Sequence, residues 1–328
     1  MRLKTFQIKC YFCLNNWYNI LLMLIPPFLQ KGSVVRLVSP AGTIDSELVN
    51  MAAKCLNSWG LIVHIGKYAT TRNGRFAGSS EQRLSDLQEA LDDSDCKAIF
   101  CTRGGYGTVQ IIDKLNWVAF RMHPKWLIGY SDITMLHSLL QKEGFASVHG
   151  GMAKTLAESL NSDQEHVHYL QKILFGTFPA YTCEAQSLNR LGVAEGPLSG
   201  GNLSILYSLR GTIYDFIPDK SILFIEDIGE KPYVVDRMMR NLKLGGILSR
   251  LSGLIVGNFS DYEEDPLFGK TVREIIVDAV SEYSYPVCFD FPVGHDGRNL
   301  PMICGAEVQF EVSKEGTLLQ FINITNYA

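Results

Sequence analysis

The side chain best placed to act as a nucleophile is Ser131, in Gly129-Tyr-Ser-Asp132. It stands directly after an apolar run, Trp126-Leu-Ile-Gly-Tyr130. It precedes Ile133-Thr-Met-Leu-His-Ser-Leu-Leu140, a stretch of helical character expected to end near Gly144. A tight strand-to-helix turn lifts a hydroxyl above the sheet and aims the N–H groups of the helix start at a developing oxyanion. The usual elbow of this kind has a second glycine two residues after the serine, where this chain has Ile133. On this segment alone Ser131 reads equally well as a helix N-cap.

A serine nucleophile needs a base, and the chain has seven histidines: His64, His123, His137, His149, His166, His168 and His295. His64 falls inside a strand-like run and reads as a packed core residue. His123, in a loop just before Pro124, and His166 and His168, in a polar stretch, read as solvated. His137 is six residues beyond Ser131, about 240° round a helix, and cannot lean back onto it. His149, in Val148-His-Gly-Gly151, follows a short strand and could line a pocket. His295 sits in Phe291-Pro-Val-Gly-His-Asp-Gly-Arg298, a loop of the kind that carries catalytic groups on a rigid scaffold. His295 and His149 therefore rank above the rest. An orienting acid completes such a set. Ser221-Ile-Leu-Phe-Ile225 runs into Glu226-Asp227, with Glu230 close behind. A carboxylate at the end of a buried strand is costly unless paired, which favours Glu226; Glu230, beside Lys231, reads as an exposed loop charge.

Two glycine-rich turns add backbone donors. Thr102-Arg-Gly-Gly-Tyr-Gly107 follows a strand and is expected to open a helix, where it could cradle phosphate or bring N–H groups beside Ser131. The full G-x-G-x-x-G spacing of a dinucleotide site is missing. Gly196-Pro-Leu-Ser-Gly-Gly-Asn202 reads as the loop into a second domain. Of the eight cysteines only Cys10 and Cys13 have a metal-like spacing. No second pair accompanies them, so no metal is expected, and the thiols read as those of a reduced cytosolic protein.

These groups must be positioned by regular elements, and from residue 32 onward the pattern is regular. Ser33-Val-Val-Arg-Leu-Val-Ser39, Leu61-Ile-Val-His-Ile65, Lys97-Ala-Ile-Phe-Cys-Thr102 and the run before Ser131 are strands. Between them, helices are predicted over 48–59, capped by Gly60, and over 79–93, opened by a Ser79/Gln82 capping box. Alternating strands and helices predict an α/β, doubly wound parallel sheet. Residues 1–24 read as an appendage upstream of a start near Met23 more readily than as an export signal, because Asn15-Asn16 interrupts the apolar run. The expected division is 25–155 for the first domain, 156–192 for a polar, irregular connection, and 193–328 for a smaller mixed β/α domain. In the last part Ser221-Ile-Leu-Phe-Ile225, 254–257 and 287–291 are expected strands, 233–244 a helix and 307–324 antiparallel strands. The 328 residues, 46% hydrophobic with a net charge of −4, exclude a largely disordered chain and disfavour nucleic acid as a partner.

Val38-Ser-Pro-Ala-Gly42, Thr102-Arg-Gly-Gly-Tyr-Gly107, Gly129-Tyr-Ser-Asp132, Gly200-Gly-Asn-Leu203, Ile225-Glu-Asp-Ile-Gly-Glu-Lys-Pro-Tyr233 with Asp236-Arg237, and Pro292-Val-Gly-His295 occur in this order. Together they resemble the LD-carboxypeptidase family of serine peptidases, from about residue 25 to the C-terminus. The resemblance implies a Ser131–His295–Glu226 triad at a domain interface, and an oxyanion hole from the amides of Asp132 and the Gly104-Gly105 turn. The implied reaction releases terminal D-alanine from murein tetrapeptides during cytoplasmic peptidoglycan recycling. The partner is then a muropeptide with a free C-terminal D-alanine, with Arg103 or Arg237 available for its carboxylate. The resemblance further implies a homodimer, no metal or other cofactor, no nucleic acid and no stable membrane association. Three alternatives remain at this point: a microcin-immunity-type peptidase acting on aminoacyl-nucleotide conjugates, a non-catalytic muropeptide binder, and a phosphate or nucleotide binder using residues 102–107. The first is disfavoured because the Ser131–Glu226 interval is fairly short and contains no tryptophan.

Overall fold

A computed structural model describes residues 23–162 and 164–324. The readings made for residues 1–22, including Cys10 and Cys13, lie outside the described residues. The first sheet has six strands. β1 (Val34–Val38), β2 (Ile62–Ile65), β3 (Cys96–Cys101), β4 (Trp126–Gly129) and β5 (Ser147–His149) are parallel, and β11 (Met302–Cys304) runs antiparallel beside β5, giving the order β11-β5-β4-β3-β1-β2. The central strands are apolar on both faces because helices and the second sheet cover them. α1 (Ser46–Ser58) and α2 (Ser80–Asp92) fill the expected helical stretches, and a short α3 (Val118–Met122) precedes β4. The capping box forms: Gln82 N–H donates to Ser79 Oγ while Ser79 N–H donates to Gln82 Oε1.

The second sheet is mixed. β7 (Gly192–Asn202), which makes residues 196–202 strand rather than the expected loop, is followed by β8 (Ile222–Ile228), β9 (Gly253–Ser260) and β10 (Val287–Cys288) as parallel neighbours. β12 (Glu307–Val312), β13 (Thr317–Phe321) and β6 (Ala180–Cys183) continue from β7 in antiparallel register. Leu37, Phe100 and Val148 of the first sheet share one buried cluster with Leu198, Phe224 and Phe310 of the second. The two domains are thus fused through a common core, and β11 reaches back from the C-terminal part of the chain to finish the first sheet.

Several local expectations are corrected. Residues 156–192 are irregular only in part: the end of α5 (Ala153–Glu158), α6 (Glu165–Leu174) and β6 lie within the stretch. Val167, Leu170, Ile173 and Leu174 recur at helical spacing and are buried, while the polar residues that suggested a connection form the other face. His166 is buried on that helix rather than solvated. His64 is exposed rather than packed, because β2 is the sheet's outer strand. Residues 102–107 lead only into short 3-10 turns, Thr108–Gln110 and Ile112–Lys114, so the helix N-terminus required by the phosphate reading is missing. The strand expected over 287–291 pairs only at Val287–Cys288, and the chain turns at Asp290 with φ 57°. Among the described residues no helix is long and apolar enough to cross a membrane.

α4 (Thr134–Lys142), which follows Ser131, is the strut between the domains. Its residues 134–141 are all buried. Gln141 Nε2 donates to the Leu198 carbonyl (2.9 Å), and Ser199 Oγ donates to Gln141 Oε1 (2.9 Å). Asn202 N–H donates to Thr134 Oγ1 (3.1 Å), and Ser138 Oγ donates to the Tyr214 carbonyl (2.7 Å).

Candidate active site

Ser131 stands at the C-terminal end of β4, where φ is 63°. A β-carbon in the left-handed region carries a steric cost, so such a residue is held by its surroundings. Three contacts supply that restraint. A short 3-10 turn, Ser131–Ile133, leads into α4. Asp132, fully buried, accepts the Thr108 N–H at Oδ2 (2.8 Å). His137 Nε2 donates to the Gly129 carbonyl (2.8 Å), and its Nδ1 accepts from Ser147 Oγ (2.8 Å). Burial lowers the His137 imidazole to about 4, so this histidine is a neutral brace across β4 and β5.

Residues 102–107 press against the serine. A β-carbon on Gly104 would lie 2.7 Å from Ser131 Cβ and 3.1 Å from its Oγ, an approach only glycine permits. Gly105 has φ 95°. The Gly104 carbonyl accepts from Gly42 N–H (2.9 Å), which ties residues 38–42 to this turn. Arg103 is exposed and donates from Nη1 to the Thr43 carbonyl (2.6 Å). Arg237 is also exposed, with its guanidinium over the Tyr233 ring at 5.7 Å.

From the other domain, His295 Nδ1 lies 2.7 Å from Glu226 Oε2. Glu226 is wholly buried near the end of β8, and the His295 side chain is 13% exposed. The Tyr130 ring, on the residue before Ser131, packs edge-on against the His295 ring with centroids 5.1 Å apart. Burial by itself would lower the His295 imidazole. The Glu226 hydrogen bond and charge, helped by Asp227 and Asp296, more than offset this and hold it above its ordinary value. Because a carboxylate only accepts, Nδ1 carries the proton and Nε2 is the basic nitrogen.

The two histidines ranked together in the sequence have different surroundings. His149 has no exposed surface, is packed against Tyr130 and Phe224, and is driven well below the usual imidazole range by burial. Glu230 is half-buried beyond the end of β8.

Three residues at the site escaped the sequence reading. Arg83 is buried and donates from Nη1 to the Pro40 and Gly107 carbonyls (2.8 and 2.7 Å), clamping the loops at residues 38–42 and 102–107 together. No local signal separates it from the other charges of α2. Asn202 donates from Nδ2 to Asp227 Oδ1 (3.0 Å), and its Oδ1 caps α7 (Leu203–Ser208) by accepting from Ile205 N–H (3.2 Å). Asp227 Oδ2 accepts from Ser204 N–H (2.8 Å). The asparagine after two glycines was the available sign of such a cap.

Comparison with known proteins places this geometry in a family. Residues 35–150 match the LD-carboxypeptidase N-terminal domain, and residues 195–310 match the LD-carboxypeptidase C-terminal domain. The "Probable murein peptide carboxypeptidase" of Bacillus subtilis is 34% identical over 307 residues, covering 90% of this chain and 94% of that protein. The crystal structure of muramoyltetrapeptide carboxypeptidase from Oxalobacter formigenes is 27% identical and superposes with a TM-score of 0.78, covering 88% of this chain and 98% of that one. The wild-type apo structure of the microcin C7 self immunity protein MccF has the same fold at 20% identity and a TM-score of 0.80, covering 93% of this chain and all (100%) of that one. With both domain models matched in order across the two sheets, the chain belongs to the LD-carboxypeptidase family.

Proposed function

We propose that this protein is a serine LD-carboxypeptidase that releases terminal D-alanine from murein tetrapeptides. Ser131 is the nucleophile, His295 the general base and Glu226 the acid that orients it. The observation that carries the reading is the 2.7 Å pairing of His295 with a fully buried Glu226, against the tyrosine that precedes a strained Ser131. The names of the Bacillus and Oxalobacter relatives support the substrate class.

His295 Nε2 takes the Ser131 proton, Glu226 stabilises the imidazolium, and the alkoxide attacks the L–D amide carbonyl. The oxyanion is received by the amide of Asp132 and those of the Gly104-Gly105 turn. His295 then returns the proton to the departing amine of D-alanine, and water, activated by the same nitrogen, deacylates Ser131. Arg103, exposed beside the turn, is assigned to the substrate's terminal carboxylate. On the family resemblance we also assign a homodimer working in the cytoplasm, with the nucleophile on residues 25–155 and the Glu226–His295 pair on 193–328.

Mass spectrometry of the protein incubated with a murein tetrapeptide tests this. The expected product has lost one D-alanine, and Ser131→Ala forms none. Equal cleavage by the variant overturns the nucleophile. Inertness of both proteins on the tetrapeptide, with turnover of an aminoacyl-adenylate analogue, moves the chain to the microcin-immunity chemistry. Binding of the tetrapeptide without any turnover makes it a muropeptide binder.

A further inference from the structure

Cys183 ends β6 and Cys288 ends β10, the two outer strands of the seven-stranded sheet. A sheet that stayed open would keep these edges far apart. Here it curls until the Cys183 and Cys288 sulfurs lie 3.6 Å apart, and Arg190, on the segment between β6 and β7, exchanges backbone hydrogen bonds with Val287 of β10 (2.9 and 3.0 Å). A disulfide needs S–S of about 2.05 Å, so the sulfurs have about 1.5 Å left to close. The two thiols also differ in access. Cys183 is half-buried in the wall of an open cavity of about 500 Å³, shared with Glu184, Gln186, Pro292 and Arg298. Cys288 is fully buried behind it.

We propose that Cys183 and Cys288 are a thiol–disulfide exchange site, in which a small disulfide entering the cavity oxidises the pair to an internal disulfide across the sheet's seam. The Cys183 thiolate attacks one sulfur of R–S–S–R, forms a mixed disulfide and expels one thiolate. Cys288 gives up its proton and attacks Cys183 Sγ, forming the internal bond and expelling the second thiolate. The protein loses two electrons and two protons, and the external disulfide becomes two thiols. The surroundings favour this order. The hydrogen bond from Cys288, against the opposing effect of burial, holds the Cys183 thiol below its ordinary value, whereas that bond and burial push Cys288 up. The attacking thiol is therefore the accessible one. Once formed, the bond fastens the strand that leads through Asp290 to His295.

The test is to equilibrate the whole folded protein with oxidised glutathione, block free thiols by alkylation, and digest for mass spectrometry. The expected result is a cross-linked peptide pair containing Cys183 and Cys288, a loss of two hydrogens from the intact mass, reversal by dithiothreitol, and a higher thermal midpoint than the reduced protein. Cys183→Ser, a change at the half-buried position, should abolish all four. Cys288→Ser should stall with glutathione retained on Cys183. Both thiols remaining alkylatable, a mixed disulfide persisting on wild-type Cys183, or Cys183 joined to another cysteine would each overturn the proposal.

Discussion

Gly104 approaches Ser131 so closely that a β-carbon on the glycine would stand 2.7 Å from the serine's own. Real side chains do not tolerate that distance, so any larger residue must push the 102–107 turn away from the hydroxyl. Gly104→Ala is therefore expected to lower kcat by about 10²-fold or more, the loss typical of a displaced oxyanion donor. Melting temperature measured alongside kcat checks this. Unchanged kcat in a folded variant would remove the turn from the oxyanion hole.

Glu226→Gln keeps the size of the buried side chain but offers His295 Nδ1 an amide in place of a charge. An amide NH₂ facing the ring also favours the wrong tautomer. The expected loss in kcat is about 10³–10⁴-fold, the scale seen when a triad acid is neutralised. KM should change little. Steady-state kinetics on the D-alanine release reaction decide it, and a loss below tenfold would argue against Glu226 as the orienting acid.

The pH profile follows from the raised His295 imidazole. As a base it acts only when neutral, so kcat/KM should climb with pH through an acidic limb above the ordinary histidine value of about 6.5. In Glu226→Gln that limb should move to lower pH, because the main upward influence is gone. Stability has the opposite sign. A group with a raised folded pKa contributes fully below its unfolded pKa, and the contribution is lost as pH rises through the folded one. Urea denaturation of wild type and His295→Gln at several pH values would show their stability difference shrinking toward alkaline pH. A difference independent of pH would contradict the direction assigned to His295.

Arg83 stands apart from the reacting groups, but it clamps two loops whose contacts lead to Ser131. Arg83→Met leaves the Pro40 and Gly107 carbonyls without this donor in a buried place. Unsatisfied buried acceptors cost about 1–3 kcal/mol each, so destabilisation of about 2–4 kcal/mol is expected, with a fall in kcat at temperatures where the variant remains folded. Chemical denaturation and kinetics on the same preparation separate the two effects. A stable variant with normal kcat would show that the clamp is dispensable.

Much of this protein is determined over short stretches, and there the sequence is legible. Ser79 and Gln82 announce a capping box, the run before Ser131 announces a strand, and glycines mark the turn at 102–107, because each depends on residues within one or two turns of chain. Composition misled where one helix carries two unlike faces, as at 165–174, and where a strand's burial depends on its place in the sheet, as at His64. The ranking of His149 against His295 lay beyond any local pattern, since each comes after an apolar run and stands beside a glycine. Only the tertiary structure separates them. The parallel pairing of β8 with β9 and β9 with β10 carries the turn at 290–295 back over Glu226, while β5 and Phe224 enclose His149 away from water. The meeting of Cys183 and Cys288 is of the same kind, since they stand 105 positions apart in the chain. Contacts between distant segments depend on how the sheets curl and pack, so spacing along the chain cannot express them.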